Sequence, residues 1–462
     1  MSKESGIHVS NLRFAYPTHR EYVLDIPELH IDRGEKVLLY GPSGSGKTTM
    51  LKALCGLVPH MSGGRFGGRV RVEGHDTRRG VGAKHAGYMW QEPEAQCVMN
   101  RVWAEVAFGA ANIRGTDFSP GIHVSRALRS VGGCHLQARK ISTLSGGELQ
   151  RVILAAIMHT GQSVWLLDEP TSQIDERGRR GFHAVLRRVE DKTVVMAEHN
   201  IPHAARLVDR VMKVEGGGVR EVSRQEALAY YRRLTRPLAP PKTSVYISGD
   251  RGDVNRWPGG KGGECVIKVR KVSFAYPGRT VFKGLNVEFP PGLSVVSGPN
   301  GSGKSTLARL MARLLNPKIG RITAPRVGLL LQNPSYYFTG RHLKADIMLQ
   351  ASHAHCPKAR VREVIKVMDL EPFVNANPWS LSTGQRVRAA LTLLLLQRPK
   401  ALILDEPSRG MDPEHRRTML WYLARLTAMG HTIIIFTHDP LIERLVPWAG
   451  RYRIYGGEVV EE

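Results

Sequence analysis

Gly41-Pro42-Ser43-Gly44-Ser45-Gly46-Lys47-Thr48 decides the fold of this chain, because it fits G-x-x-x-x-G-K-[ST] and sits between two apolar patterns. Val37-Leu38-Leu39-Tyr40 before it reads as a short strand, and Met50, Leu51, Leu54 and Leu57 after it recur on one helical face. In that setting the glycines let backbone N–H groups converge on phosphate oxygens, and the following helix offers its positive end to them. Lys47 neutralises charge on β- and γ-phosphates, Thr48 offers a hydroxyl to Mg²⁺, and Thr49 closes the binding segment.

The whole arrangement recurs. Leu293-Ser294-Val295-Val296 leads into Gly298-Pro299-Asn300-Gly301-Ser302-Gly303-Lys304-Ser305, with Thr306 next. Phe14-Ala15-Tyr16-Pro17 returns as Phe274-Ala275-Tyr276-Pro277, and Leu144-Ser145-Gly146-Gly147-Glu148 as Leu381-Ser382-Thr383-Gly384-Gln385. Leu167-Asp168-Glu169-Pro170 returns as Leu404-Asp405-Glu406-Pro407, and Glu198-His199 as Thr437-His438. Ser145 to Asp168 and Ser382 to Asp405 both span 23 positions; Lys47 to Gln91 spans 44, Lys304 to Gln332 only 28, so the second copy is trimmed after its loop. A Pro/Gly-rich stretch between the copies reads as an extended linker. Domains are expected at 1–236 and 265–462, with the linker at 237–264.

Val164–Leu167, Ala401–Leu404, Thr193–Met196 and Thr432–Ile435 read as buried parallel strands, so the alternation of strand and helix predicts an α/β core with helices on both faces. Asp168-Glu169 and Asp405-Glu406 each end such a strand, at the carboxyl edge of the sheet beside the phosphate loop. There the Asp can hold Mg²⁺ and the Glu can polarise an attacking water as general base.

The chain has 462 residues, with 66 Lys+Arg against 41 Asp+Glu, a formal charge of +25. Apolar residues at 42% and charged residues at 23% allow packed cores and exclude wholesale disorder. No apolar run approaches the roughly 18 residues of a membrane span. The N-terminal Met1-Ser2-Lys3-Glu4-Ser5 lacks the apolar centre of a signal peptide. Cys55, Cys97, Cys134, Cys265 and Cys356 form no Cys-x-x-Cys pair, which argues against a disulfide framework or zinc site and for a reducing, cytosolic setting. The basic excess fits nucleic acid, an anionic membrane surface, bound nucleotide or plain solubility, and charge alone does not choose.

Together these motifs resemble the ATP-binding-cassette (ABC) ATPases, over nearly the whole chain outside the linker. The most specific element is Leu144-Ser145-Gly146-Gly147-Glu148, the family signature. The resemblance implies an α/β fold of two ABC-type P-loop NTPase domains. Each would have a mainly parallel sheet flanked by helices, a small antiparallel β subdomain and a helical signature subdomain. It implies ATP with Mg²⁺ and ATP hydrolysis, and two cassettes of one chain paired head to tail. Each ATP would then lie between the phosphate loop of one cassette and the signature of the other, Ser145, Gly146, Gly147 and Glu148 or Ser382, Thr383, Gly384 and Gln385. It assigns Tyr16 and Tyr276 to adenine stacking, Gln91 and Gln332 to Mg²⁺ sensing, and Asp175 and Asp412 to the loop that crosses between cassettes. His199 and His438 become the histidines that contact the γ-phosphate, and Glu169 and Glu406 the catalytic bases. Thr383 departs from the family glycine and crowds the backbone near phosphate, so unequal turnover at the two sites is expected.

The segment after Gln91, Glu92-Pro93-Glu94-Ala95-Gln96-Cys97-Val98 and Ala104-Glu105-Val106-Ala107-Phe108-Gly109, is similar to that of energy-coupling-factor (ECF) importer ATPases, with Gln332–Thr339 a looser version. That similarity implies an integral membrane scaffold and a small substrate-capture membrane subunit as partners. The chain would be peripheral on the cytoplasmic face of the membrane, with a vitamin or metal ion as cargo and no nucleic acid bound. The chain ends 24 residues after His438, so an appended sensing domain is not expected. The competing class is the ribosome-binding double-cassette ABC-F ATPase, which a +25 chain suits, but whose long charged helical linker differs from the Pro/Gly-rich one here.

Overall fold

The structure is a computed structural model that describes residues 5–17, 21–79, 82–91, 93–171 apart from 115–119, 176–240, 267–299 and 301–462. Asp175, Asn300 and residues 241–264 of the expected linker lie outside the described residues. The chain divides into two compact units, Met1–Arg233 and Leu234–Glu462.

In the first unit, strands β1 (Ser5–Ala15), β2 (Leu24–Asp32), β4 (Arg65–Val72) and β5 (His75–Asp76) form an antiparallel sheet in the order β2-β1-β4-β5. A six-stranded sheet combines β3 (Lys36–Tyr40), β6 (Ala86–Met89), β7 (Val164–Asp168), β8 (Thr193–Ala197), β9 (Arg210–Glu215) and β10 (Gly218–Val222). Its order is β10-β9-β3-β8-β7-β6, parallel except for the terminal hairpin. β3 shows why both faces are covered. Val37 and Leu39 join a core with Met50, Leu51 and Leu54 of the helix Lys47–Cys55. Leu38 and Tyr40 point the other way, into a core with Val152 and Ile153 of the helix Gly146–Thr160. A strand buried on both sides must be apolar throughout, which is the run the sequence shows.

The second unit repeats this plan with fewer strands. β11 (Ile267–Tyr276), β12 (Arg279–Phe289) and β14 (Ile319–Thr323) pair as β12-β11-β14. β13 (Leu293–Ser297), β15 (Val327–Leu330), β16 (Ala401–Asp405), β17 (Thr432–Thr437), β18 (Gly450–Tyr455) and β19 (Glu458–Glu461) pair as β15-β16-β17-β13-β18-β19. Leu402 and Leu404 feed one core, Ala401 and Ile403 the other. The α/β reading therefore holds in both units.

Two local expectations change. Leu57 lies beyond the first phosphate-loop helix, which ends at Cys55 on a left-handed Gly56 cap. Leu238, inside the expected linker, is buried in the second unit's core: its amide donates to the Leu445 carbonyl at 2.7 Å and its carbonyl accepts from Trp448 Nε1 at 3.3 Å. An apolar side chain among prolines gains by leaving water, so this part of the stretch packs instead of spanning.

Candidate active site

The first site grows from the carboxyl ends of β3 and β7, which β8 separates. The chain leaves β3 through Gly41, where a Cβ would come within 2.1 Å of the Val214 carbonyl oxygen; only glycine fits so close to the neighbouring strand. Gly44 has φ +76° and open space where its side chain would be, so the loop presents bare backbone outward. Pro42 and Ser43 lie between these glycines. Gly46 closes the loop with φ 103° and directly precedes Lys47. The Lys47 ammonium is buried and donates to the Gly41 and Pro42 carbonyls, both at 2.9 Å. Ser45 Oγ is buried without a hydrogen-bond partner, a polar atom aimed into the loop.

Thr48 Oγ1 donates to Asp168 Oδ1 at 3.1 Å, joining the phosphate-loop helix to the end of β7. The other oxygen, Oδ2, accepts from the Tyr88 hydroxyl at 3.0 Å. Burial, and then the adjacent Glu169 charge, push the Asp168 carboxyl up to about 6 despite those two donors. Glu169 turns away with φ +47°, left-handed backbone in a non-glycine residue, and its amide is held by the Ala197 carbonyl at 2.9 Å. His199 Nε2 lies 2.9 Å from Glu169 Oε1. Glu198 is buried and takes the Thr171 amide at 3.0 Å and its hydroxyl at 2.5 Å, so it anchors the turn after the Asp-Glu pair.

The second site repeats the scaffold. Pro299, Gly301, Ser302 and Gly303 form its loop, and a Cβ on Gly298 would meet the Ile454 carbonyl oxygen at 2.6 Å. Lys304 Nζ donates to the Gly298 carbonyl at 2.7 Å and the Pro299 carbonyl at 3.1 Å, and stands 3.5 Å from Glu406 Oε1. Ser305 Oγ donates to Asp405 Oδ1 at 3.0 Å, and burial raises that carboxyl above its ordinary range. Ser302 Oγ is a buried orphan like Ser45 Oγ. Glu406 has φ +49° and its amide donates to the Phe436 carbonyl at 2.8 Å. Burial alone would push the Glu406 carboxyl up, but the His438 hydrogen bond and charge, with Lys304, hold it below the usual range.

The remaining residues separate by geometry. Tyr16 packs edge-on against Phe14 at 4.9 Å and its hydroxyl bonds Thr49 Oγ1 at 3.2 Å; Tyr276 packs edge-on against Phe274 at 5.0 Å and is exposed. Thr306 is buried beside Ser305. Gln91 and Gln332 each stand two residues past the ends of β6 and β15; among the described residues no hydrogen bond joins them to the Thr48–Asp168 or Ser305–Asp405 pairs. Ser145 caps the helix Gly146–Thr160 through a capping box with Glu148, leaving Gly146 and Gly147 in its first turn. Ser382 does the same with Gln385 for the helix Thr383–Leu396. A Cβ on Gly384 would meet the His415 ring at 2.8 Å, and His415 Nδ1 lies 2.9 Å from Asp412 Oδ2. Asp412 is itself a buried N-cap of the helix Pro413–Ala428. Sequence reasoning assigned no role to Tyr88, Thr171 and His415, and placed Thr437 only as the neighbour of His438; Tyr88 had only its place on an apolar strand as a signal.

The donor sets fit Mg²⁺: in each unit a hydroxyl and a carboxylate oxygen, both hard donors, converge beside the loop lysine. Two such loops on parallel sheets, each with its carboxylate pair, define a tandem P-loop NTPase. Residues 24–172 and 282–409 match the family model described as ABC transporter. A protein of Caldanaerobacter subterraneus subsp. tengcongensis, provisionally named an ABC transporter ATP-binding protein, is 30% identical over 94% of this chain and 87% of its own length. YkoD of Bacillus subtilis, provisionally named an HMP/thiamine import ATP-binding protein, is 27% identical over 93% of this chain and 86% of its own. Among solved structures, the RNase-L Inhibitor superposes with a TM-score of 0.63 at 20% identity, covering 97% of this chain and 89% of that one. A ribosome-bound archaeal Pelota and ABCE1 assembly gives 0.67 at 20%, covering 97% and 78%. At that identity the structures show a shared fold. The chain belongs to the ABC transporter family and is a double-cassette ABC ATPase.

Proposed function

We propose that this chain energises a membrane importer of the energy-coupling-factor kind, taking up a vitamin or metal ion. The observation that carries this reading is the apolar surface after Gln91. Val98, Trp103, Phe108, Ile113 and Ile122 are all exposed, Ile122 at 81%. In the second unit Tyr336, Met348, Leu349 and Trp379 are exposed after Gln332. Large apolar side chains left in water in the stretches that follow Gln91 and Gln332 suit docking to helices of a membrane partner. The relative named for HMP/thiamine import supports the same direction.

In this reading ATP binding draws the two cassettes together, and the movement passes through these surfaces to the partner. The loop amides, Lys47 and Lys304 hold the phosphates. Thr48 with Asp168, and Ser305 with Asp405, would hold Mg²⁺, which offsets phosphate charge when bound. Gln91 and Gln332 would sense that ion, and Tyr16 and Tyr276 would flank the adenine. Glu169 and Glu406 orient and deprotonate the attacking water, and His199 and His438 hold those carboxylates in place. The signature serines and first-turn amides would receive the γ-phosphate from the opposite cassette.

Affinity purification of the intact chain from gently solubilised membranes tests the proposal. A multi-spanning scaffold and a small membrane protein should accompany it. Recovery with ribosomal particles, released by ATP hydrolysis, would overturn it.

A further inference from the structure

We infer that His8, Glu28 and His30 form a binding site for a borderline divalent transition-metal ion of the Zn²⁺, Co²⁺ or Ni²⁺ class on the antiparallel sheet of the first unit. His8 on β1 and His30 on β2 are directly opposite in the antiparallel register. Their imidazole rings lie 4.2 Å apart at 15°. Glu28 precedes His30 by two residues, so the strand period puts both on one face. One ligand atom from each of the three lies within 4.8 Å of the others. His30 Nε2 and Glu28 Oε1 are already 2.8 Å apart.

One feature points to an ion and not merely to a polar surface. The donor set of two imidazoles and one carboxylate is the kind that selects borderline metals over Mg²⁺. With bonds of about 2.1 Å, tetrahedral donors stand roughly 3.4 Å apart. Glu28 and His30 are exposed and His8 half-buried, so side-chain rotation can close the gap without moving the sheet. A fourth position stays open to water.

Asp32, two residues beyond His30, shares its face of β2 and is half-buried. Across β1, Arg71 on β4 is level with His8, and Arg69 is level with Ser10. Arg71 is exposed, so its charge is screened by water, and Arg69 leans toward Asp76 at 3.9 Å. The ion would pin β1 to β2, the two strands that lead into and out of the Tyr16 segment. The cluster is separate from the phosphate loops and independent of the transport proposal.

Titration of the untagged full-length chain with Co²⁺, read by visible absorption, and with Zn²⁺ in competition, in excess Mg²⁺, tests the site. Saturation near one equivalent is expected at neutral pH. His8→Ala and His30→Ala should each weaken binding at least about tenfold, as loss of a direct ligand exceeds the cost of losing its support. Glu28→Gln keeps the side-chain shape and should also weaken it, which preserves the test if an alanine variant fails to fold. His85→Ala, in the other stacked imidazole pair (His75 and His85, 3.9 Å apart), should bind as the parent does. Zn²⁺ should raise the unfolding midpoint of the parent and not of His30→Ala. Unchanged Co²⁺ binding in His8→Ala and His30→Ala, or binding lost only in His85→Ala, would overturn the inference.

Discussion

His438 presents Nδ1 to Glu406 Oε1 at 2.8 Å, whereas the equivalent His199 presents Nε2 to Glu169 Oε1 at 2.9 Å. The two imidazoles therefore leave opposite ring nitrogens for a phosphate. The residue before each histidine differs in step. Thr437 Oγ1 donates to Glu406 Oε2 at 3.1 Å, while Glu198 instead braces Thr171. Thr437→Val keeps the volume and removes that donor. It should lower ATP turnover about tenfold, the scale of one hydrogen bond to a charged group, with little change in nucleotide affinity. Steady-state kinetics would check this; unchanged kcat would show that the hydroxyl does not position the base.

The first turns of the signature helices differ at Gly146 against Thr383 and at Glu148 against Gln385, and only the first exchange puts a β-branched side chain there. If the two sites turn over unequally for this reason, Glu169→Gln and Glu406→Gln measured singly should depress ATPase activity by different factors, with Glu406→Gln the more severe. Thr383→Gly should narrow the difference. Equal losses would sink the idea.

Tyr88 supplies Asp168 with a donor that the second unit lacks, since Leu329 occupies the corresponding place on β15. Tyr88→Phe leaves a buried carboxylate oxygen short of a partner. The expected cost is about 1–3 kcal/mol in stability, read by urea unfolding near pH 8, with a higher Mg²⁺ requirement for hydrolysis. The second-unit counterpart Leu329→Tyr offers the reverse experiment.

His431, just before β17, is buried, and burial, with the Arg360 charge, pulls its imidazole down to about 4 from an ordinary 6.5. The folded state thus binds this proton more weakly than the unfolded chain. Stability from the neutral ring is complete above pH 6.5 and is lost as pH falls from 6.5 toward 4. From pH 7 to 5 the loss should be roughly 2 kcal/mol. His431→Gln should flatten that part of the profile in denaturant midpoints measured across this range.

Much of the architecture was legible because its signals are local. Phosphate loops, capping boxes and buried strands are each specified within a few neighbouring residues, and both copies carry them in the same order. The left-handed backbone of Glu169 and Glu406 was not legible, because nothing in the residue type announces it; the turn is forced by amides tied to Ala197 and Phe436 on the adjacent strand. Leu238 read as linker because its neighbours are prolines, yet a vacant apolar wall in the second unit takes it in.

The sequence alone determined which backbone segments could hold phosphate and where carboxylates could end a strand, since glycine freedom, helix-start amides and strand hydrophobicity act over a few residues. The tertiary structure decided which side chains meet: Thr48 with Asp168, His438 with Glu406, His8 with His30. Those pairs depend on strand order and register. Both are set by how helices pack on the two sheet faces and how antiparallel strands align, and no single stretch of chain contains that information.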